Sequence, residues 1–340
     1  MKATLPHPAD LGRKVRDLLR EHRADLRTRT YGNADLNPPT GPREVVPVTA
    51  SDGARLRVHA YGPADGNVLV LVHGWTCCLE YWNPQINAFA GEYRVIAYDV
   101  RGHGESEAGT APLTTDQLAD DLADVLDAVL KPGQRAVLVG HSLGGMTIQA
   151  WAGRYPQRVR RQLLAVLMTN TAAGDLIAET TVVPFFNRGL VKLPFVVGLL
   201  GLSATIGFPS IAPVKWIFRR QIMSLATVGD VADFAQNIVR SCPARVRGRF
   251  GTLLSYLDVG RGAANLTVPT TVIAGSADDM TPPVHAERIV EMLTAAGSLA
   301  GFKILPTGHL GNVEAYREFN DELALVAESA FGTAARVVGA

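Results

Sequence analysis

Short, unbroken apolar runs separated by helical patterns constrain this sequence more than any other feature. NVLVLVHG (67–74), YRVIAYDV (93–100) and RAVLVGHS (135–142) are rich in valine and isoleucine. Between the last two, Leu118, Leu122, Val125, Leu126 and Val129 recur at helical spacing. A strand that is apolar at every position has both faces buried. Such strands alternating with helices predict an α/β protein, with a mostly parallel central sheet and helices on both faces. RQLLAVLMTN (161–170) extends the series. The alternation is then suspended until PTTVIAGS (269–276), a helix around 283–296, FKILP (302–306) and a last helix. Ahead of the series, EVVPVTA and LRVHAYG flank SDGA and read as a hairpin.

A chain of 340 residues, 47% hydrophobic and 19% charged, is long enough for one large domain with an insert or for two domains. Lys and Arg number 33 against 32 Asp and Glu, so no basic bias argues for nucleic acid. The cysteines are Cys77, Cys78 and Cys242, an odd count that includes two neighbours. A disulfide scaffold is not expected, and a reducing, cytoplasmic setting is the default. The opening MKATLPHPADLGRKVRDLLREHR has no apolar core of a secretory signal. Within it Leu11, Val15, Leu18, Leu19, His22 and Leu26 form a helical stripe flanked by arginines and lysine. The stripe is expected to dock on the body; peripheral contact with anionic lipid is the competing reading. NADLNPPTGP (33–42) is a linker by composition.

VLVGHSLGGMTIQAW (137–151) reads as strand, tight turn and helix, and contains Gly140-His141-Ser142-Leu143-Gly144. A serine that attacks a carbonyl must project from a sharp turn, and Gly140 and Gly144 leave room where side chains would clash. The helix that starts after Ser142 aims its amino-terminal amides at a developing oxyanion. The alternative is a glycine-rich turn with an idle serine.

A serine nucleophile needs a base, and the base an orienting carboxylate. Of His7, His22, His59, His73, His103, His141, His285 and His309, only His309 follows the final short strand in a glycine-flanked loop, LPTGHLGN. Such loops, at strand carboxyl ends, are where open α/β sheets bind ligands. VIAGSADDMTPP supplies Asp278 and Asp279 beyond another strand, and only one need face the histidine. The resulting order of serine, acid and histidine is the one expected when a nucleophile elbow opens the triad. For an oxyanion hole, His73-Gly74-Trp75 ends a strand, so the Trp75 amide pairs naturally with that of Leu143. The Trp75 indole is expected to line the acyl pocket, with burial in the core as the alternative.

HGWT, YDVRGHGES (98–106), GHSLGG, GSADDMTPP and PTGHLGN, in this order and spacing, resemble the α/β-hydrolase superfamily in its capped esterase, lipase and peroxidase-like branch. The resemblance covers about 43–170 and 263–335. It implies Ser142 as nucleophile, Trp75 and Leu143 as oxyanion amides and His309 as base. It favours Asp278 over Asp279, because the family acid is the third residue after the strand-ending glycine, here Gly275. Some members carry the acid after the preceding strand, where this chain has Asn170. Peroxidase-like members often carry methionine after the nucleophile, where this chain has Leu143. Asp99 and Arg101 are expected to hold a turn, and His103 is assigned no catalytic role. A serine in the elbow argues against dehalogenase and epoxide hydrolase chemistry, which use aspartate there. No nucleotide or metal motif is visible, so no cofactor is expected. Cys77 and Cys78 are expected to be small buried hydrophobes.

The implied organisation is an N-terminal helix and linker (1–42), a first core part (43–170), a cap inserted at 171–262, and a second core part (263–340). The cap contains LPFVVGLLGLSATIGFPSIAPV (193–214), which carries no charge. It is long enough to span a bilayer, but Pro194, Gly198, Gly201, Gly207, Pro209 and Pro213 break it. A lid over Ser142 is expected instead, with Phe195, Leu199 and Phe208 facing substrate and membrane-surface contact as the rival. The expected activity is hydrolysis of a small-molecule carboxylic ester with a substantial apolar part. Thioester or lactone hydrolysis, perhydrolysis and C–C bond hydrolysis are the alternatives, with non-hydrolytic ligand binding as the rival from another class. The oligomeric state is not legible.

Overall fold

The computed structural model describes residues 8–176, 216 and 219–338. Helix α1 (Pro8–Leu26) leads to the hairpin β1 (Arg43–Thr49) and β2 (Arg55–Tyr61). Then follow β3 (Val68–Val72), α2 (Asn83–Phe89), β4 (Arg94–Tyr98), α3 (Thr115–Val129), β5 (Ala136–His141), α4 (Leu143–Arg154), α5 (Pro156–Gln162) and β6 (Leu163–Thr169). Helices α6 (Gly229–Arg240) and α7 (Ala244–Tyr256) precede β7 (Thr270–Gly275), α8 (Pro283–Ala295), β8 (Leu299–Leu305), α9 (Gly311–Glu314) and α10 (Tyr316–Val338). Among the described residues, eight strands form one sheet in the order β1-β2-β4-β3-β5-β6-β7-β8. The pairs β1–β2 and β2–β4 are antiparallel and the rest are parallel.

The unbroken apolar runs divide between two cores. Val68, Val70 and Val72 of β3 pack with Leu118 and Leu122 of α3 and Met146 and Ile148 of α4 on one face. Leu69 and Leu71 pack with Ile86 and Phe89 of α2 and Phe319 and Leu323 of α10 on the other. Each such side chain contributes about 1.5–3 kcal/mol when fully buried, which is why a central strand has no polar position to spare. Strand β3 lies between β4 and β5, so the chain leaves β3 to one side and β5 to the other. The carboxyl ends of β3 and β5 therefore border the crevice where open α/β sheets place their sites.

The YDVRGHGES turn is held by charge. Asp99 accepts the Leu79 amide at 2.6 Å and the Glu105 amide at 2.8 Å, and it meets Arg57 at 3.2 Å. Arg101 grips both oxygens of Asp121 at 2.5 Å and reaches Asp52 at 3.1 Å. Of the α1 stripe, Leu26 is buried and Leu18 is 64% exposed. The carboxyl end of α1 docks on α6 through Leu26, which shares an apolar cluster with Phe234, and through two polar contacts: His22 Nε2 lies 2.8 Å from the Asn237 carbonyl, and Arg23 donates to the Ser241 carbonyl. No helix among the described residues is long and apolar enough to cross a membrane. The stretch 193–214, with Phe195, Leu199 and Phe208, lies outside the described residues.

Candidate active site

Ser142 sits between β5 and α4 with φ 53° and ψ −117°, a conformation that costs a non-glycine residue on the order of 1–3 kcal/mol. Close packing maintains it. A Cβ at Gly144 would lie 2.0 Å from the Val72 carbonyl oxygen, so only glycine lets α4 start against the end of β3. The Ser142 amide donates to the Thr169 carbonyl at 3.0 Å, and its own carbonyl accepts the Thr171 hydroxyl at 2.7 Å. The elbow is thus tied to β6 on one side and pressed on β3 on the other.

His309 reaches the elbow from the loop after β8. Its Nε2 lies 2.9 Å from Ser142 Oγ, and its Nδ1 lies 2.9 and 3.1 Å from the two oxygens of Asp278. The imidazole thus joins a hydroxyl to a carboxylate. With the proton on Nδ1 donated to Asp278, Nε2 is left to accept from the serine. Asp278 is 3% exposed, and its remaining lone pairs are filled. One oxygen accepts the Met280 and Thr281 amides, both at 2.9 Å; the other accepts the Thr281 hydroxyl at 2.8 Å and the Asn170 amide at 2.9 Å. Burial alone would raise the Asp278 carboxyl. The His309 ring and these donors outweigh it and hold the group below the usual carboxylate range. Asp278, not its neighbour Asp279, is the carboxylate that meets His309.

Two further groups position His309. The Asn170 side-chain amide bridges Asp278 and the Gly308 carbonyl, joining the loops after β6, β7 and β8. His141 Nε2 lies 2.8 Å from the His309 carbonyl oxygen, so the neutral His141 ring donates there. Burial pushes His141 down to about 3. From the sequence, Asn170 reads only as an alternative acid position, and nothing marks His141 or Thr281. Their roles depend on which loops converge, which no local pattern reveals.

Trp75 lies in the loop after β3, and Leu143 opens α4 directly after Ser142. A Cβ at Gly74 would lie 3.0 Å from Ser142 Cβ, so the loop after β3 passes directly beside the elbow. Among the described residues, the Trp75 and Leu143 amides donate to no protein acceptor. The Trp75 indole is 9% exposed, and its Nε1 donates to the Arg247 carbonyl of α7 at 3.1 Å. Cys77, Cys78 and Cys242 are free and buried, and burial pushes the Cys242 thiol up to about 12. Among the described residues no cluster of His, Cys, Asp and Glu could hold a metal ion.

A serine hydroxyl, an imidazole and a buried carboxylate in hydrogen-bond sequence can carry out acyl transfer. Residues 67–181 match the family model described as alpha/beta hydrolase fold. The chain is 27% identical over 273 residues to 3-oxoadipate enol-lactonase 1 of Acinetobacter baylyi, covering 80% of this chain and 92% of the relative. A protein of Variovorax paradoxus, named as a candidate carbamate hydrolase, is 30% identical over 243 residues, 70% of this chain and 84% of its own. A thermophilic esterase from Thermogutta terrifontis superposes with a TM-score of 0.66 at 21% identity, over 85% of this chain and 99% of the esterase. The motifs, the sheet and these relatives agree, and the chain belongs to the α/β-hydrolase family.

Proposed function

We propose that this protein is a serine hydrolase that cleaves a carboxylic ester with a substantial apolar part, through an acyl-enzyme on Ser142. The observation that carries this reading is the 2.9 Å contact between Ser142 Oγ and His309 Nε2, backed by buried Asp278. Ser142 Oγ attacks the ester carbonyl and its proton passes to His309 Nε2. The tetrahedral oxyanion is met by the Trp75 and Leu143 amides; loss of one such donor costs about 10²–10³ in kcat in comparable sites. Asp278 stabilises the imidazolium, which then protonates the departing alkoxide. Water deacylates Ser142 by the same route, giving its proton to Nε2, and the acid leaves.

In this reading α6 and α7, which lie between β6 and β7 in the chain, belong to a cap. A second reading, lactone hydrolysis, is favoured by the enol-lactonase relatives, which match over 92% and 95% of their own length. It uses the same acyl-enzyme, with the leaving alkoxide still tethered to the acyl group.

Fluorophosphonate labelling is expected in the wild-type protein and absent in Ser142→Ala. An unlabelled wild-type protein would overturn the reading. Turnover of p-nitrophenyl esters of rising acyl length then separates the substrates. A buried methylene is worth about 0.8 kcal/mol, so kcat/KM should rise about fourfold per methylene until the pocket is full. A flat ester series with fast lactone opening selects the second reading.

A further inference from the structure

Two buried histidines outside the proposed triad hold the loop after β3 in a reciprocal arrangement. His73 lies in that loop, and its Nε2 accepts the Val100 amide at 3.0 Å. His103 lies in the turn after β4, and its Nε2 accepts the Thr76 amide at 3.2 Å. Each loop thus lends a ring to the other's main chain, and the rings meet edge to face at 5.5 Å. A main-chain N–H can only donate, so each Nε2 is unprotonated and each neutral ring carries its proton on Nδ1. His73 Nδ1 donates to the Gly74 carbonyl at 2.8 Å, and His103 Nδ1 to the Arg101 carbonyl at 3.2 Å. Burial pushes His73 down to about 4 and His103 to about 3, so both rings keep these roles at neutral pH.

The consequence lies in two peptide planes. The Gly74 carbonyl and the Trp75 amide belong to one planar trans unit and point in opposite directions. Holding the carbonyl with His73 Nδ1 therefore aims the Trp75 N–H away from it. The next unit contains the Thr76 amide, which His103 holds. Thr76 has φ 65°, a strained value for a β-branched residue. Something must oppose its relaxation, and the bond to His103 does so within the buried interior. Phe250 of α7 packs edge-on against the His103 ring at 4.6 Å and keeps it in place.

We propose that His73 and His103 are positioning residues that fix the peptide planes on either side of Trp75 and so set the oxyanion hole. This rests on the serine hydrolase reading above, with Trp75 as one oxyanion donor.

The test uses His103→Phe, which keeps ring volume but has no acceptor, and His103→Gln, whose Oε1 can replace Nε2. The readouts are kcat and KM on p-nitrophenyl butyrate and the Ki of a trifluoromethyl ketone, which forms a tetrahedral adduct on the serine. His103→Phe is expected to lower kcat by about 10–100-fold, to raise Ki by a similar factor, and to leave KM within about twofold; misplacing one oxyanion donor costs less than deleting it. His103→Gln is expected to recover most of the loss. A kcat within twofold of wild type in His103→Phe, an unchanged Ki, or equal losses in the two variants overturns the proposal. Imidazole ¹⁵N shifts of the wild-type protein test it without any variant: both rings should show the neutral Nδ1–H tautomer at pH 7, and the other tautomer in either ring overturns it. Fluorophosphonate labelling of wild type runs alongside. If it fails, the serine hydrolase reading falls; if it succeeds while the histidine results are negative, only the clasp falls.

Discussion

The two flanks of the elbow place the same side chain in opposite hydrogen-bonding settings. On the β7–β8 side, the two ring nitrogens of His309 meet side chains, a hydroxyl on Nε2 and a carboxylate on Nδ1. On the β3–β4 side, the hydrogen bonds of His73 and His103 go to main-chain groups, and the Nε2 of each ring receives an N–H. A ring whose Nε2 faces a hydroxyl and whose Nδ1 faces an anion can take up a proton and be stabilised as the cation. A ring whose Nε2 is occupied by an amide loses that bond on protonation and acts as a strut. What surrounds a histidine, rather than its presence in a buried site, separates a base from a brace.

The sharpest way to break this contrast is to remove the exchangeable proton path. Ser142→Ala or His309→Ala should lower ester turnover by roughly 10⁴-fold or more, with the cooperative unfolding transition retained. Near-normal turnover in folded Ser142→Ala would end the contrast.

Asp278→Asn makes the β7–β8 flank resemble the other by removing its anion. The amide favours the wrong imidazole tautomer, and kcat should drop by about 10³–10⁴-fold. A kcat near that of the wild type would show that His309 works without its carboxylate.

The buried neutral rings have a signature in stability. The unfolded histidine binds a proton below its ordinary value of 6.5, whereas His73, His103 and His141 resist it down to about 4, 3 and 3. Between those limits the unfolded chain holds more protons, so stability falls as pH falls. Each ring contributes up to about 1.4 kcal/mol per pH unit in that window. Unfolding free energies from urea titrations at pH 7, 6 and 5 should decline steeply, and a flat profile would show the rings are not neutral braces. Asp278 works the same way lower down: its depressed carboxyl adds stability above about 3.8, lost as pH falls through its folded value.

The smallest effect belongs to Asp279→Asn, which should change kcat by less than about threefold, since its neighbour is the carboxylate that meets His309. A larger loss than in Asp278→Asn would invert the assignment.

What could be read from the sequence was local. The elbow was legible because glycines and apolar residues on both sides of Ser142 define a strand, a turn and a helix in one short stretch. His309 followed from its place after the last strand. Asp278 and Asp279 could not be separated by residue type or spacing, and the resemblance to a family made that choice. The hairpin was legible from its turn, but the strand order was not, because pairing of β3 with both β4 and β5 is non-local. Of the α1 stripe, Leu26 is buried, His22 reaches the Asn237 carbonyl and Leu18 is exposed, while the contact of Arg23, which lies off the stripe, has no periodic signal in the sequence. Asn170, with φ 47°, became visible as the bridge between Asp278 and Gly308 only once three loops had been brought together.

The separation of Ser142 and His309 by 167 residues has a meaning in time. A ribosome adding about 5–20 residues per second needs roughly 10–30 s to travel from Ser142 to His309. During that interval β3, β5 and the elbow can already be out of the ribosome, and the loop beside Trp75 can be in place. Ser142 nevertheless lacks its contact with His309, because β8 and its loop have not been made. On the proposed mechanism the nascent chain is therefore silent toward esters until the loop after the final strand has been made.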